Sequence, residues 1–188
     1  RMGKGTREKL ITKNSKVIDF ANSPFRNDFS DIYLLANCKI YFGGDSGIET
    51  IPQIFGKPKH NINYPFTNLH TATRCNPWLL IFKRLKNLKT GKLLSISEIL
   101  SSDFAYSTSS YVFQKHNIVS IDNTQDDIKF LASEIEKEFR NEPIENDEDI
   151  KIQKEFWKIY FRFVDKKKIG NIQPRISPNF LRKNLDLL

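Results

Sequence analysis

A strand, turn and helix pattern within residues 39–58 constrains the fold of this chain most strongly. A short apolar run, Ile40 to Phe42, is typical of a buried strand, and two glycines follow it at once. Apolar residues then recur at a helical spacing, at Ile48, Ile51 and Phe55. Ser46 with Glu49 three residues later predicts a capping box, so we expect the helix to begin at Ser46.

The turn of this pattern is a candidate anion site. A helix that begins directly after a strand points unpaired backbone N–H groups and a positive dipole end at one place, which suits a phosphate. Gly47 would let a ligand approach the backbone closely. Many α/β turns share the pattern and bind nothing, so the pattern alone leaves a purely structural role open.

The flanking sequence extends the pattern to βαβαβ. We predict strands at Val17–Phe20, at Ile40–Gly44 and near His60–Tyr64. A helix from Asp28 separates the first two strands, with its apolar face at Phe29, Ile32, Tyr33 and Ala36. Pro52 lies six residues after Ser46, where it should kink the helix, so either the helix is short and bent or its start is not at Ser46. Gly56 with Pro58 is expected to end the helix. The fold class is therefore α/β, a Rossmann-like parallel sheet flanked by helices.

Three loops should meet at one edge of such a sheet, because the loops that follow parallel strands lie on the same side. They are Ala21–Asn27, Gly43–Gly47 and Pro65–Arg74. The candidate binding residues that they carry are Asn22, Ser23, Arg26, Gly44, Asp45, Ser46, Gly47, His70 and Arg74.

The C-terminal part carries the clearest helices. A strand near Ile118–Ile121 precedes a helix capped by Thr124, with apolar positions at Ile128, Leu131, Ala132, Ile135 and Phe139. Glu142–Asp149 is acidic and predicts a linker. The aromatic helix around Ile152–Phe163 is interpreted as core, and Lys166–Lys168 as its C-terminal end.

Composition excludes some classes of protein. The chain has 30 basic and 22 acidic residues, a net charge of +8, which allows loose polyanion binding without identifying an activity. Cys38 and Cys75 show no CxxC spacing, and the histidines and carboxylates show no metal-ligand spacing, so no metal is expected. No apolar run is long enough to span a bilayer. A cytoplasmic location is the expectation.

Four blocks of the sequence resemble a family of bacterial glycosyltransferases for surface polysaccharides. They are Ile18–Leu34, Gly43–Gly47, Ile121–Thr124 and Pro174–Leu181, and residues 22–26 are the most distinctive of them. The resemblance implies the GT-B architecture, in which two Rossmann-like halves face a cleft. This chain is then similar to the C-terminal, donor-binding half, with the acceptor-binding half upstream and missing. Residues 1–141 would form the nucleotide-sugar-binding domain, and residues 142–188 an acidic linker with helices that pack back on it or on the missing half.

The same resemblance implies a chemistry for the candidate site. The Ser46 and Gly47 N–H groups and the Ser46 hydroxyl would hold the diphosphate of a nucleotide-sugar donor, with Arg26 as a bidentate clamp. Arg1 and Lys4 are weaker candidates for the same phosphates. Without the resemblance, an ion pair from Arg26 to Asp28 or Asp31 is the favoured interpretation.

The remaining candidates keep two interpretations each. Asp45 either binds sugar hydroxyls or stabilises the turn. Asn22 and Ser23 either bind the ligand or only form a turn. His70 either contacts the sugar or base of the donor or is simply exposed. His60 and His116 are interpreted as structural. No catalytic base is assigned, and retention or inversion of the anomeric centre is not decided.

The expected partners are a nucleotide sugar, a glycan acceptor, the missing half and, through an acceptor lipid, the membrane surface. No metal and no specific nucleic acid are expected. The isolated chain is predicted to bind a nucleoside diphosphate and to transfer little sugar. Two alternatives stay open: a nucleotide-sugar epimerase of similar fold, and a basic nucleic-acid-binding domain without enzymatic activity. Scattered basic residues argue against the second.

Overall fold

The computed structural model describes residues 1–5, 8–72, 77–166 and 174–188 and has an α/β architecture. Its strands are β1 (Tyr41–Gly43), β2 (Lys59–Tyr64), β3 (Pro77–Phe82), β4 (Arg84–Asn87), β5 (Ile118–Ile121) and β6 (Arg175–Ile176). Its helices are α1 (Asp28–Ala36), α2 (Thr50–Ile54), α3 (Leu69–Ala72), α4 (Ile96–Leu100), α5 (Ser110–Lys115), α6 (Gln125–Phe139), α7 (Asp147–Tyr160) and α8 (Pro178–Lys183).

A four-stranded parallel sheet organises the molecule, in the order β1-β2-β3-β6. Tyr41 is opposite Lys59, and Leu80 is opposite both Asn61 and Ile176. The inner strand β3 was not predicted. Leu79, Leu80 and Ile81 on it are 0% exposed, as expected of a parallel strand that is covered on both faces. The predicted α/β class with a parallel sheet is confirmed.

A second, two-stranded sheet is antiparallel and pairs β4 with β5. The strand predicted near Ile118–Ile121 is thus present as β5. Asn123, just after it, ties the two sheets together. Its backbone N–H donates to Asn63 Oδ1 and its Oδ1 accepts from the Asn63 N–H, both at 2.6 Å, while its Nδ2 donates to the Phe82 carbonyl at 2.9 Å.

Aromatic side chains fill the core between the parallel sheet and the C-terminal helices. Phe82 on β3 lies 4.9 Å from Phe66 and 4.8 Å from Phe180, measured between ring centroids. Phe156 and Tyr160 on α7 are buried beside them. The interpretation of the α7 aromatics as core is confirmed for these two side chains, whereas Phe163 is exposed.

Capping boxes define the starts of the two long helices. Thr124 accepts from the Asp127 N–H at the start of α6, as predicted, and Asn146 accepts from the Asp149 N–H at the start of α7. Helix α7, strand β6 and helix α8 share the sheet and core of the preceding residues. The domain boundary between residues 141 and 142 stays a prediction, and Lys167 and Lys168 lie outside the described residues.

The prediction of a strand at Val17–Phe20 is wrong. A 3₁₀ turn, Phe20–Asn22, occupies its end, and the side chains of Val17 and Ile18 are exposed. The backbone N–H groups here bond to other residues of the N-terminal segment and not to a neighbouring strand. The Ala21 N–H donates to the Arg1 carbonyl at 2.9 Å, and the Val17 N–H donates to the Asn14 carbonyl at 3.0 Å. Among the described strands, β1 is therefore one edge of the sheet, and β6 is the other.

Helix α1 begins after Asn27, as predicted, but buries a different face. Asn27 and Ser30 form a capping box. The expected inner positions Phe29, Ile32 and Tyr33 are 74%, 48% and 56% exposed, whereas Asp31 and Leu35 are buried. The hydrophobic spacing predicted the helix correctly and its orientation wrongly.

Pro52 does not break its helix, because α2 begins later than predicted. A 3₁₀ turn at Gly47–Glu49 precedes α2, so Pro52 lies in the first α-helical turn, where a missing N–H removes no intrahelical bond. Gly56 then ends the helix with φ of +64°, a conformation that favours glycine.

Candidate functional site

A large cleft lies at the carboxyl end of β1. Its volume is about 1380 Å³, and it is bounded by α1, the turn after β1 and the first residues of the chain. Four of the predicted site residues line it: Arg26, Gly44, Asp45 and Ser46. Arg1 and Lys4, the weaker candidates, line it as well. We call this space the β1 cleft.

The turn after β1 is exposed, and Tyr41 supports it from within. Asp45, Ser46 and Gly47 are all exposed. The Tyr41 hydroxyl donates to the Gly44 carbonyl at 3.1 Å, and a Cβ at Gly43 would lie 2.6 Å from the same hydroxyl. Gly43 thus leaves room for Tyr41. Burial raises the pKa of Tyr41, so the phenol stays protonated and keeps its donor.

Gly47 itself stands in open space. A Cβ built on it meets no atom within 4 Å, so glycine is not required here by the fold. The residue does not line the β1 cleft, although it begins the 3₁₀ turn next to Ser46, which does. A ligand that reached the Gly47 N–H would approach over the Asp45–Ser46 edge.

The predicted capping box at Ser46 and Glu49 is wrong. Ser46 precedes the 3₁₀ turn, and its side chain makes no capping hydrogen bond. Glu49 turns into the protein and accepts from Lys59 Nζ at 3.2 Å and from Asn61 Nδ2 at 2.5 Å. Burial raises the pKa of Glu49, against the lowering effect of Lys59. The sequence analysis did not predict that Glu49 contacts Lys59 and Asn61, because nothing in the local sequence links these residues.

Arg26 reaches the β1 cleft while it is paired with Asp31. Its Nη2 lies 2.6 Å from Asp31 Oδ2, and the two side chains are 18% and 10% exposed. The ion pair expected without the resemblance is therefore present. The Arg26 Nε has no partner among the described residues and is buried. The guanidinium consequently keeps donor capacity beyond the ion pair.

Asn22 and Ser23 form the turn before α1 and do not line the β1 cleft. Asn22 Nδ2 donates to Asp19 Oδ2 at 2.9 Å, and Ser23 Oγ accepts from the Phe25 N–H at 3.2 Å. Asp19 also accepts from the Leu10 N–H and from Arg1. These contacts lower the pKa of Asp19 to about 2; the bond from the Leu10 N–H has the largest effect, and the bond from Arg1 has the next largest. Sequence reasoning missed Asp19, which is the acceptor that holds this segment together.

His70 lies apart from the other predicted residues. It is on α3, and its ring meets the Tyr106 ring edge-on at 5.4 Å between centroids. It is not among the described residues that line the β1 cleft. The third predicted loop therefore does not join the first two through His70, and Arg74 falls outside the described residues.

Charges in the β1 cleft balance, and much of its wall is apolar. The described part of the lining has three basic residues, Arg1, Lys4 and Arg26, and three acidic ones, Asp28, Asp31 and Asp45. Ile18, Phe20 and Ile32 contribute to the apolar wall. An anion here would depend on directed N–H groups more than on net positive charge.

The described residues contain neither a cluster of metal ligands nor a helix that could cross a membrane. No group of three or more histidine, cysteine, aspartate or glutamate side chains is arranged to hold a metal ion. None of the helices in the described ranges has the length and apolar character to cross a membrane.

Comparisons with known protein families, with curated proteins and with solved structures find no match to this chain. The interpretation of the β1 cleft therefore depends on its own residues and their geometry.

Proposed function

We propose that this chain is the donor-binding half of a glycosyltransferase that uses a nucleotide-diphosphate sugar. One observation carries the proposal. Arg26, from the loop before α1, and Gly44 to Ser46, from the turn after β1, line the same cleft at the carboxyl end of a parallel strand. Ligands of open α/β sheets bind at this end of the strands.

The leaving group of such a reaction is a nucleoside diphosphate, whose negative charge grows as the bond to the sugar breaks. Preorganised N–H donors aimed at that charge stabilise the transition state. In our proposal the Ser46 and Gly47 N–H groups hold the diphosphate, and Arg26 contacts it through donors that Asp31 does not use. Lys4 adds a cation, and no ion pair of the described residues includes it.

The apolar wall and Asp45 would serve the rest of the donor. The volume of about 1380 Å³ is larger than that of a typical small-molecule site, roughly 300–1,000 Å³, and leaves room for base, diphosphate and sugar together. Asp45 is exposed at the rim and can accept hydrogen bonds from sugar hydroxyls. Ile18 and Phe20 offer apolar surface to the base.

The proposal extends to the whole enzyme as follows. A GT-B partner half supplies the acceptor site and the catalytic base, the acceptor is a surface polysaccharide or its lipid-linked precursor, and the reaction takes place in the cytoplasm without a metal. The isolated chain then binds the donor and transfers little sugar. A nucleotide-sugar epimerase would use the same cleft, but it would not release nucleotide in response to a glycan acceptor.

A thermal-shift panel of nucleoside diphosphates tests donor binding. At a concentration of about 100 times Kd, a ligand that binds only the folded chain raises Tm by about 5 °C or more. Gly47→Val should abolish the part of this shift that binding in the β1 cleft contributes. It should leave the unliganded Tm unchanged, because the added side chain meets no atom of the protein within 4 Å at its Cβ.

The role of Arg26 is tested with a matched pair of variants, because Arg26→Ala alone would leave the buried Asp31 carboxylate without its ion-pair partner. Asp31→Asn removes the ion pair and keeps the guanidinium, whereas Arg26→Ala with Asp31→Asn removes both. We expect the first variant to bind the diphosphate at least as well as the wild type, and the second to lose the same part of the thermal shift as Gly47→Val does. A wild-type Tm that no nucleoside diphosphate changes would contradict the proposal.

A further inference from the structure

A second concave surface lies along α7, away from the β1 cleft. Its volume is about 520 Å³, within the usual range for small-molecule sites. We call it the α7 groove; its main lining residues are Gln153, Lys154, Trp157, Phe161, Lys166 and Arg175. Because Arg175 begins β6 and the strands are parallel, the groove lies at the amino end of the sheet, opposite the carboxyl end of β1.

Cations dominate the polar lining of the α7 groove. Of the residues that the structure describes, four basic side chains and one acidic side chain, Glu145, line it. Arg175 is already paired with Glu138 at 2.9 Å and approaches Glu145 at 3.5 Å, and Lys158 pairs with Glu155 at 3.1 Å. No ion pair among the described residues includes Lys154 or Lys166. These two ammonium groups are therefore left to attract an anion.

Aromatic rings form the apolar part of the same surface. The Trp157 and Phe161 rings stack with centroids 5.5 Å apart and an interplanar angle of 27°. Trp157 is 7% exposed and held firmly in the core, so it provides a rigid floor. Lys166 Nζ lies 5.8 Å from the centre of the Phe161 ring, which places one ammonium group directly beside the aromatic surface.

We propose that the α7 groove binds a phosphorylated small molecule. Lys154 and Lys166 hold its phosphate, and its organic body rests against Phe161 and the edge of Trp157. Among the described residues, basic side chains outnumber acidic ones in the lining of this groove, whereas the two are equal in number in the lining of the β1 cleft. Binding here is independent of the Arg26 and Gly47 site.

Trp157 provides a reporter for the test. The chain has two tryptophans, so Trp78→Phe leaves Trp157 as the only one. Adenosine diphosphate and inorganic pyrophosphate are titrated separately into this variant, with Gly47→Val added so that the β1 cleft does not contribute. Its fluorescence is recorded, and direct binding is followed by calorimetry. Vesicles of phosphatidylglycerol in phosphatidylcholine form a third arm, which separates a soluble phosphate from a lipid headgroup.

Charge reversal supplies the controls. We expect Lys154→Glu with Lys166→Glu to weaken adenosine diphosphate binding by about tenfold or more, because two charge-assisted contacts are lost and two carboxylates repel the phosphate. Lys89→Glu with Lys129→Glu makes the same change of net charge at two exposed lysines outside the groove and should leave binding unchanged. Phe161→Leu should weaken the binding of adenosine diphosphate more than the binding of pyrophosphate, because pyrophosphate has no organic body to rest on the ring.

The proposal predicts saturable adenosine diphosphate binding with a change in Trp157 fluorescence that survives Gly47→Val. It is overturned if the fluorescence and the calorimetric signal do not saturate, if both lysine pairs reduce binding equally, or if only the vesicles bind.

Discussion

Two regions of this chain contain similar aromatic and aliphatic side chains but bury them very differently. The C-terminal core, formed by β3, α6, α7 and α8, encloses Phe156 at 0% exposure and Phe180 at 2%. The N-terminal segment, residues 8–36, leaves Phe25 at 79% and Phe29 at 74% exposure. Hydrophobic content therefore did not decide which region became core.

The difference comes from what lies opposite each helix. Helix α7 faces the sheet and α8, so its apolar stripe is covered. Helix α1 packs against the short α2 beside the edge strand β1, and no strand of the described chain continues the sheet beneath it. Its inward face is then set by the Arg26–Asp31 ion pair and Leu35, and the more hydrophobic stripe faces outward.

The largest expected contrast is between two phenylalanines. Phe156→Ala should lower the free energy of unfolding by about 3–5 kcal/mol, because it leaves a cavity in the C-terminal core. Phe29→Ala removes an exposed ring and should change it by about 0.5 kcal/mol or less. Urea denaturation measures both, and equal costs for the two variants would refute the contrast between the regions.

A second prediction concerns His60, which is buried on β2 at 2% exposure. Its pKa is lowered from 6.5 to about 4, mainly by burial and to a smaller extent by the nearby Arg175 charge. Between these two values the unfolded chain binds more protons, so the free energy of unfolding falls as pH drops from 6.5 to 4. The pKa difference of His60 thus adds about 3 kcal/mol to the free energy of unfolding above pH 6.5, relative to its value well below pH 4.

His60→Gln should remove this part of the pH dependence. Glu49 acts in the opposite direction, because its raised pKa makes the folded state bind more protons and lowers stability as pH rises. The informative quantity is therefore the difference between wild type and His60→Gln, measured by urea denaturation from pH 4 to pH 7. A difference that does not vary with pH would show that His60 is not buried as described.

The smallest contrast compares two capping boxes. Thr124→Ala at α6 should cost about 1 kcal/mol of global stability, because α6 belongs to the cooperative core. Asn27→Ala at α1 removes the same kind of cap from the N-terminal segment. We expect it to increase hydrogen exchange in α1 with a smaller change in the global urea midpoint. Identical global costs would indicate that both regions unfold together.

Sequence patterns predicted the elements with local signals and missed those defined by distant partners. The cap at Thr124, the helix after it and the strand Ile118–Ile121 follow from local residues. Strand β3 was missed because its apolar run merges with the basic residues of β4, and β6 because it has only two residues. The strand predicted at Val17–Phe20 had the right composition, but its backbone bonds pair locally and with Arg1.

The same distinction holds at the candidate site. The exposed glycine turn was predicted, because strand, glycines and helix follow one another in sequence. The Arg26–Asp31 pair was foreseen as an alternative, since five residues separate the partners. The contacts of Glu49 with Lys59 and Asn61 depend on how the 3₁₀ turn before α2 lies against β2, which local spacing does not encode.

The most direct test of the β1 cleft is an NMR titration of the backbone and arginine side-chain N–H signals with a nucleoside diphosphate. It is made in the Lys154→Glu, Lys166→Glu background, so that the α7 groove does not contribute. We predict that the Ser46 and Gly47 amide signals and the Arg26 Nε–H signal shift together, with one midpoint. Stationary signals from these three groups at saturating diphosphate would contradict the assignment of this cleft as the donor site.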